Sequence, residues 1–316
     1  MSWRAEGAGA GRHRAEGARW RAELVALWAF ATRSLLMASR NVFFFFELLF
    51  FPVVGVLSIG LMARFLGLDR AQTSFVLIGT IAFSAVQVCQ LEVAYAVLYD
   101  VWSKSMKHQF LAPIGVRHLT TGSWVIGVAR GLVMFALLSV LARWAFDFDV
   151  MAPGWNSVTL LLGCFLTAWI VGVGVCTLVL QFGGRAEASA WASANLVLVL
   201  AGIYYPISVL PGPVAAIASA VPLTYFLDAY RTHYGFPGEF PHPIATGLAL
   251  SAVYLALSHW SLVAAVQRAR RTGQLLKMSG WRERSRLRRR APGLRARHPA
   301  RHRPGSSRRG RHHRQP

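Results

Sequence analysis

The stretch "AGIYYPISVLPGPVAAIASAVPLTYFLDAYR", residues 201–231, decides how the rest of the chain is read. It is apolar enough to enter a lipid bilayer, but Pro206, Pro211 and Pro222 interrupt it. A spanning helix needs about 20 uninterrupted, mostly apolar residues. The stretch closes one long apolar run at Pro206. A short apolar segment then lies between Pro213 and Pro222, and an amphipathic turn ends in Asp228 and Arg231. Such a pattern dips into a membrane from one side or lies along its surface.

The flanking sequence is that of a membrane protein. Of 316 residues, 54% are hydrophobic and only 15% charged, and the mean hydropathy is +0.41, a balance expected where lipid is the main solvent. Six runs are long enough to span: 42–66, 74–99, 122–142, 158–182, 188–210 and 244–266. The expected fold is therefore an all-α polytopic membrane protein with six transmembrane helices and a short extracellular re-entrant or interfacial element. Residues 1–41 form a basic arm, 42–267 the six-span domain and 268–316 an Arg-rich tail. No early apolar core of a cleaved secretory signal is present. Cys89, Cys164 and Cys176 all fall inside apolar runs and read as buried packing residues.

Lys and Arg set the expected orientation. With the amino terminus cytoplasmic, the inner segments hold 29 of the 34 basic residues, eighteen of them from Arg268 onward. Arg64, Arg70, Arg143 and Arg231 fall outside, and Arg130 lies within the third run. Both termini are thus expected in the cytoplasm. The net charge of +21 resides largely in the tail "RERSRLRRRAPGLRARHPARHRPGSSRRGRHHRQP", which lacks the large apolar residues needed for a core and is expected to be disordered. A bare Arg run attracts phosphate without reading bases, so anionic lipid is the expected partner and nucleic acid is not. Trp20, Leu24, Leu27, Trp28 and Leu35 recur at helical spacing, as in a helix lying on the inner membrane surface.

The motifs of soluble catalysis are missing. The only lysines, Lys104, Lys107 and Lys277, follow Ser103, Met106 and Leu276, so no Walker A loop exists to bind ATP. Neither a His-Glu-x-x-His metal site nor a Gly-x-Ser-x-Gly elbow occurs. No catalytic residue, metal or cofactor is therefore assigned to this chain. Three ionisable groups do lie within apolar runs, where they are expensive and face a partner or a cavity. At about 1.5 Å per residue, Glu47, Glu92 and Arg130 lie roughly 8, 10 and 12 Å from the inner ends of their runs. They share a depth that suits an ion pair of Arg130 with Glu92 or Glu47, the lining of an inner vestibule, or a proton relay. Gly127 with Gly131, and Ala168 with Gly172, have the spacing of close helix contacts.

One loop remains. In "DVWSKSMKHQFLAPIGVRH", residues 100–118, Trp102, Met106 and Phe110 form an apolar stripe, Lys104 and Lys107 point elsewhere, and Pro113 ends the helix. With "YPISVLP…PLTYFLDAYR", this loop resembles the permease subunits of bacterial type-2 ATP-binding-cassette (ABC) exporters. Pro113 and Gly122 match in the first motif; Pro206, Leu210, Pro211, Pro222, Leu223, Thr224 and Arg231 match in the second. The resemblance covers about residues 20–270. It departs from the family in "SKSMKH", where acidic and Gly-Thr character is usual, and in the Arg-rich tail.

The resemblance implies a six-span subunit of the bacterial inner membrane that pairs with a second permease copy or a relative. A separate ATPase subunit would bind ATP and Mg²⁺. The helix from Trp102 through Lys104, Met106, Lys107 and Phe110 to Pro113 would be the coupling helix resting on that ATPase. The exported substrate would be a drug, lipid or saccharide. The alternatives are a membrane-embedded lipid-modifying enzyme using Glu47, Glu92 or His108, and a proton-coupled carrier.

Overall fold

The structure is a computed structural model that describes residues 49–102 and 116–271, together with the isolated helical positions Val25, Trp28, Ala29, Thr32 and Leu36. The α-helices in its continuous part are α1 (Phe51–Phe65), α2 (Arg70–Trp102), α3 (Val116–Phe146), α4 (Asn156–Phe182), α5 (Ala188–Leu200), α6 (Gly212–Ala218), α7 (Pro222–Arg231) and α8 (Pro243–Arg271). No strand occurs among the described residues. The protein is an all-α polytopic membrane protein.

Helices α2, α3, α4 and α8 are long and apolar enough to cross a bilayer. Helix α2 is the axis of the bundle: α1, α3, α4, α5 and α7 all pack on it. Its most apolar window is 83% buried, whereas that of α8 is 22% buried. A helix that is apolar on every side is stable only when surrounded. Small residues at Gly79, Ala82, Ser84, Ala85, Ala94 and Ala96 let several neighbours approach it. The outer helices carry large apolar side chains on exposed faces, including Val133, Val140 and Trp144 on α3 and Val253, Leu257 and Trp260 on α8. Lipid tails solvate such faces as readily as another leucine would.

The core has two layers. One cluster joins Leu77, Ile81, Ala85 and Cys89 of α2 to Leu138 of α3, Phe165 of α4 and Leu223 of α7. The other joins Val93, Val97 and Leu98 to Val175, Val179 and Leu180 of α4 and Leu262 of α8. At residues 90–92 of α2 the first layer gives way to the second.

One expectation is corrected. The fifth apolar run does not give a helix over 188–210: α5 stops at Leu200, and Gly202 turns the chain at φ +66°. Its 13 residues reach about 20 Å, short of a hydrocarbon core of about 30 Å. The second run extends past residue 99 as helix, to Trp102. Arg231, at the end of the amphipathic turn, lies inside the protein with 5% of its surface exposed.

The re-entrant element follows from its prolines. Pro211 precedes α6 and Pro222 opens α7, each tolerated because the first turn of a helix lacks partners for its N–H groups. Helix α6 and the segment 222–234 meet at 90°, and nine of the ten residues of α7 are buried, Asp228 being the exception.

The fold requires α2 to pass very close to the chain that follows α5. A methyl group on Gly79 would lie 2.0 Å from the Ile203 carbonyl oxygen, whereas Gly55 has nothing within 4 Å. Gly79→Ala should therefore cost about 1–3 kcal/mol. Gly55→Ala should leave stability unchanged or raise it by up to about 1 kcal/mol. Thermal melts of both variants in detergent check the contrast, and equal melting temperatures would contradict the packing.

Candidate functional site

Three polar residues inside the bundle, Gln90, Glu92 and Arg130, lie near the boundary between the two core layers. Arg130 of α3 donates through Nη1 to Oε2 of Glu92 on α2. The side chains are only 11% and 4% exposed. Their approach depends on the two glycines beside Arg130: a Cβ on Gly127 would lie 3.0 Å from the Cys89 carbonyl oxygen, and one on Gly131 would lie 3.3 Å from that of Ala85. Helices α2 and α3 thus touch backbone to backbone, and the guanidinium reaches across. Two residues before Glu92, Gln90 is fully buried and donates Nε2 to the Ala190 carbonyl of α5 at 3.2 Å. Gln90 was missed by sequence reasoning, although an amide inside an apolar run was the available signal.

At the end of the bundle where α2 starts, Arg231 joins three segments. Its Nη1 donates to the Gly202 carbonyl at 2.7 Å, and Nη2 donates to the carbonyls of Ile203 at 2.8 Å and Phe75 at 3.2 Å. The guanidinium lies 3.4 Å from the centroid of the Phe75 ring. Gly202 and Ile203 lie just past the end of α5, where helix carbonyls lose their own partners. Tyr230 assists by donating to the Val150 carbonyl, and Tyr234 donates to the same oxygen at 2.9 Å. Pro206 precedes the 3₁₀ turn Ile207–Val209, so Pro206, Pro211, Pro222 and Arg231 belong to one folded unit.

At the opposite end, Trp102 lies against Tyr95 and Tyr99 with ring centroids 5.8 and 5.4 Å away. Its indole Nε1 donates to Oε2 of Glu187 at 3.1 Å. Glu187 immediately precedes α5, where a carboxylate complements the positive end of the helix dipole. The last turn of α2 is thereby tied to the turn between α4 and α5. Nothing in the spacing of the two residues along the chain announces this bond. Glu47, Lys104, Met106, Lys107, Phe110 and Pro113 lie outside the described residues.

No group of three or more His, Cys, Asp or Glu suited to a metal occurs among the described residues. Cys89, Cys164 and Cys176 are free and buried. Arranged in this way, the polar residues hold helices in register and leave their ends linked to neighbouring loops.

Comparison with known proteins identifies the class. The sequence profile of ABC-2 type transporters matches residues 25–234, and the chain belongs to that family. It is similar to the inner membrane transport permease YadH of Escherichia coli (strain K12), with 22% identity over 192 residues, 60% of this chain and 73% of that protein. The YadH permease of Shigella flexneri is similar to the same extent. This chain is a multi-pass membrane transport permease.

The pair between Arg130 and Glu92 makes a thermodynamic cycle informative. Arg130→Leu alone should remove the cation beside a buried carboxylate and lower stability by about 1–3 kcal/mol. Adding Glu92→Gln should recover part of that loss, read as a shift in melting temperature. Losses that simply add would show that the two side chains are not coupled.

Proposed function

We propose that the chain is the permease subunit of an ATP-driven exporter in the bacterial inner membrane. Two such subunits, identical or related, would form the pathway for a drug, lipid or saccharide. ATP and Mg²⁺ would bind on a separate ATPase subunit, so this chain needs neither a cofactor nor catalytic residues of its own. Family membership over residues 25–234 carries this reading. The absence of a Walker A loop agrees with it.

The end of α2 supplies the mechanical part. In this reading the segment following Trp102 rests on the ATPase. A displacement there reaches α2 through the ring stack of Tyr95, Tyr99 and Trp102, and reaches the turn before α5 through Glu187. Because α2 packs on α1, α3, α4, α5 and α7, motion of its end is communicated to most of the bundle. The stripe of Met106 and Phe110 anchors the contact, since large apolar side chains in desolvated pockets dominate interfaces. Lys104 and Lys107 form its rim, where charges count for less. Trp102 divides its role, because its indole is held within this chain.

Orientation follows the basic residues, with both termini and the Trp102–Glu187 end cytoplasmic and the α6–α7 hairpin outside. In a background without native cysteines, Asp149→Cys should react with an impermeant thiol reagent on intact cells and Lys104→Cys should not. Labelling at position 104 would invert the topology.

The coupling role is tested by Phe110→Ala. It should reduce co-purification of a Walker-A-bearing ATPase by about tenfold or more, for a loss of about 2 kcal/mol at an anchor, while the melting temperature stays normal. Full ATPase binding with unimpaired transport would refute it.

A further inference from the structure

A cavity of about 500 Å³ opens beside Arg231, between the start of α2, the chain after α5 and the loop joining α7 to α8. That volume falls in the range of small-molecule sites, which are mainly apolar with a few placed polar groups. Tyr204, Tyr205, Phe236 and Phe240 contribute aromatic walls, and Asp228 and Glu239 contribute carboxylates.

The charge of these walls is unbalanced. Arg231 is the basic residue of the lining, and its Nη atoms are committed to three backbone carbonyls. Asp228 accepts hydrogen bonds from the backbone N–H groups of Glu239 at 3.0 Å and Phe240 at 3.3 Å. Glu239 accepts one from the Ser208 hydroxyl at 2.7 Å. All of these donors are neutral. Among the described residues neither carboxylate forms an ion pair. Arg231 itself is 95% buried, so its charge is fixed in the wall of the cavity.

We propose that this cavity binds lipophilic organic cations. A positive centre would face two carboxylates set against the single charge of Arg231, and ring faces attract cations through their quadrupoles. A bulky apolar body would bury area against the same rings. An anion of equal size would be repelled by Asp228 and Glu239, and a neutral hydrocarbon would desolvate them without compensation. The site lies within one copy of the chain and is independent of ATP coupling, so its binding is measured without nucleotide or transport.

The test uses the full-length protein in detergent and two ions of matched shape, tetraphenylphosphonium and tetraphenylborate. Equilibrium binding should be saturable for the cation at one site per chain and not saturable for the anion. Glu239→Gln keeps an acceptor for Ser208 and should weaken the cation by about tenfold. Combining it with Asp228→Asn should weaken binding further, and the melting temperature of the single variant should remain normal. Equal binding of the two ions, no saturable binding of either, or cation binding unchanged by Glu239→Gln would each overturn the proposal.

Discussion

A single buried guanidinium holds the break in the bundle. Helix α5 ends at Leu200, and in hydrocarbon every backbone carbonyl past that point needs a partner from within the protein. Arg231 supplies one for Gly202 and one for Ile203, and bonds α2 through the carbonyl and ring of Phe75. Replacing its hydration with three carbonyls and a ring face is the compensation that makes burial of the charge tolerable. The approach is close enough to require glycine at position 79. The position of α7, the right-angle bend after α6 and the adjoining cavity all follow from where this side chain is anchored.

A second polar contact works at mid-depth. The pair of Arg130 and Glu92 lies where one apolar layer of the core meets the other. Apolar packing between helices in lipid gains little from hydrophobic transfer, so it does not fix rotation or register strongly. A directional ion pair framed by Gly127 and Gly131 does both for α2 and α3. Cross-links of this kind make α2 a stiff element. It is bonded near one end to Arg231, near its middle to Arg130 and at its last residue to Glu187. A transport cycle that moves one end of such an element moves its neighbours with it.

Much of this was legible in the sequence, for reasons that also mark the limits. Hydropathy finds α2, α3, α4 and α8 because a helix of spanning length leaves a long apolar run. Helical rise converts sequence position into depth, which puts Arg130 level with Glu92 and Glu47. Hydropathy misreads α5, since Ala201, Ile203, Tyr204 and Tyr205 are as apolar as the helix before them. Hydropathy registers solvent preference and is blind to where backbone hydrogen bonding stops. The informative residue was Gly202, whose positive φ ends the helix four residues before Pro206. Arg231 was placed at the end of an amphipathic turn, with nothing in the sequence to announce its burial. Only the carbonyls of Gly202, Ile203 and Phe75, distant in sequence, explain its burial. The bond between Trp102 and Glu187 was invisible for the same reason, as it joins residues 85 positions apart.

The most direct test of the account is backbone hydrogen exchange in the Arg231→Lys variant. Lysine keeps the charge, but its single ammonium cannot reproduce the planar fork that reaches three carbonyls on two segments. The account predicts exchange faster by about tenfold or more across residues 201–210 and 222–234, where local opening controls protection. The amides of α4 distant from the hairpin, around residues 173–180, should keep native rates. Native protection throughout both segments in the lysine variant would contradict the claim that Arg231 holds the hairpin in place.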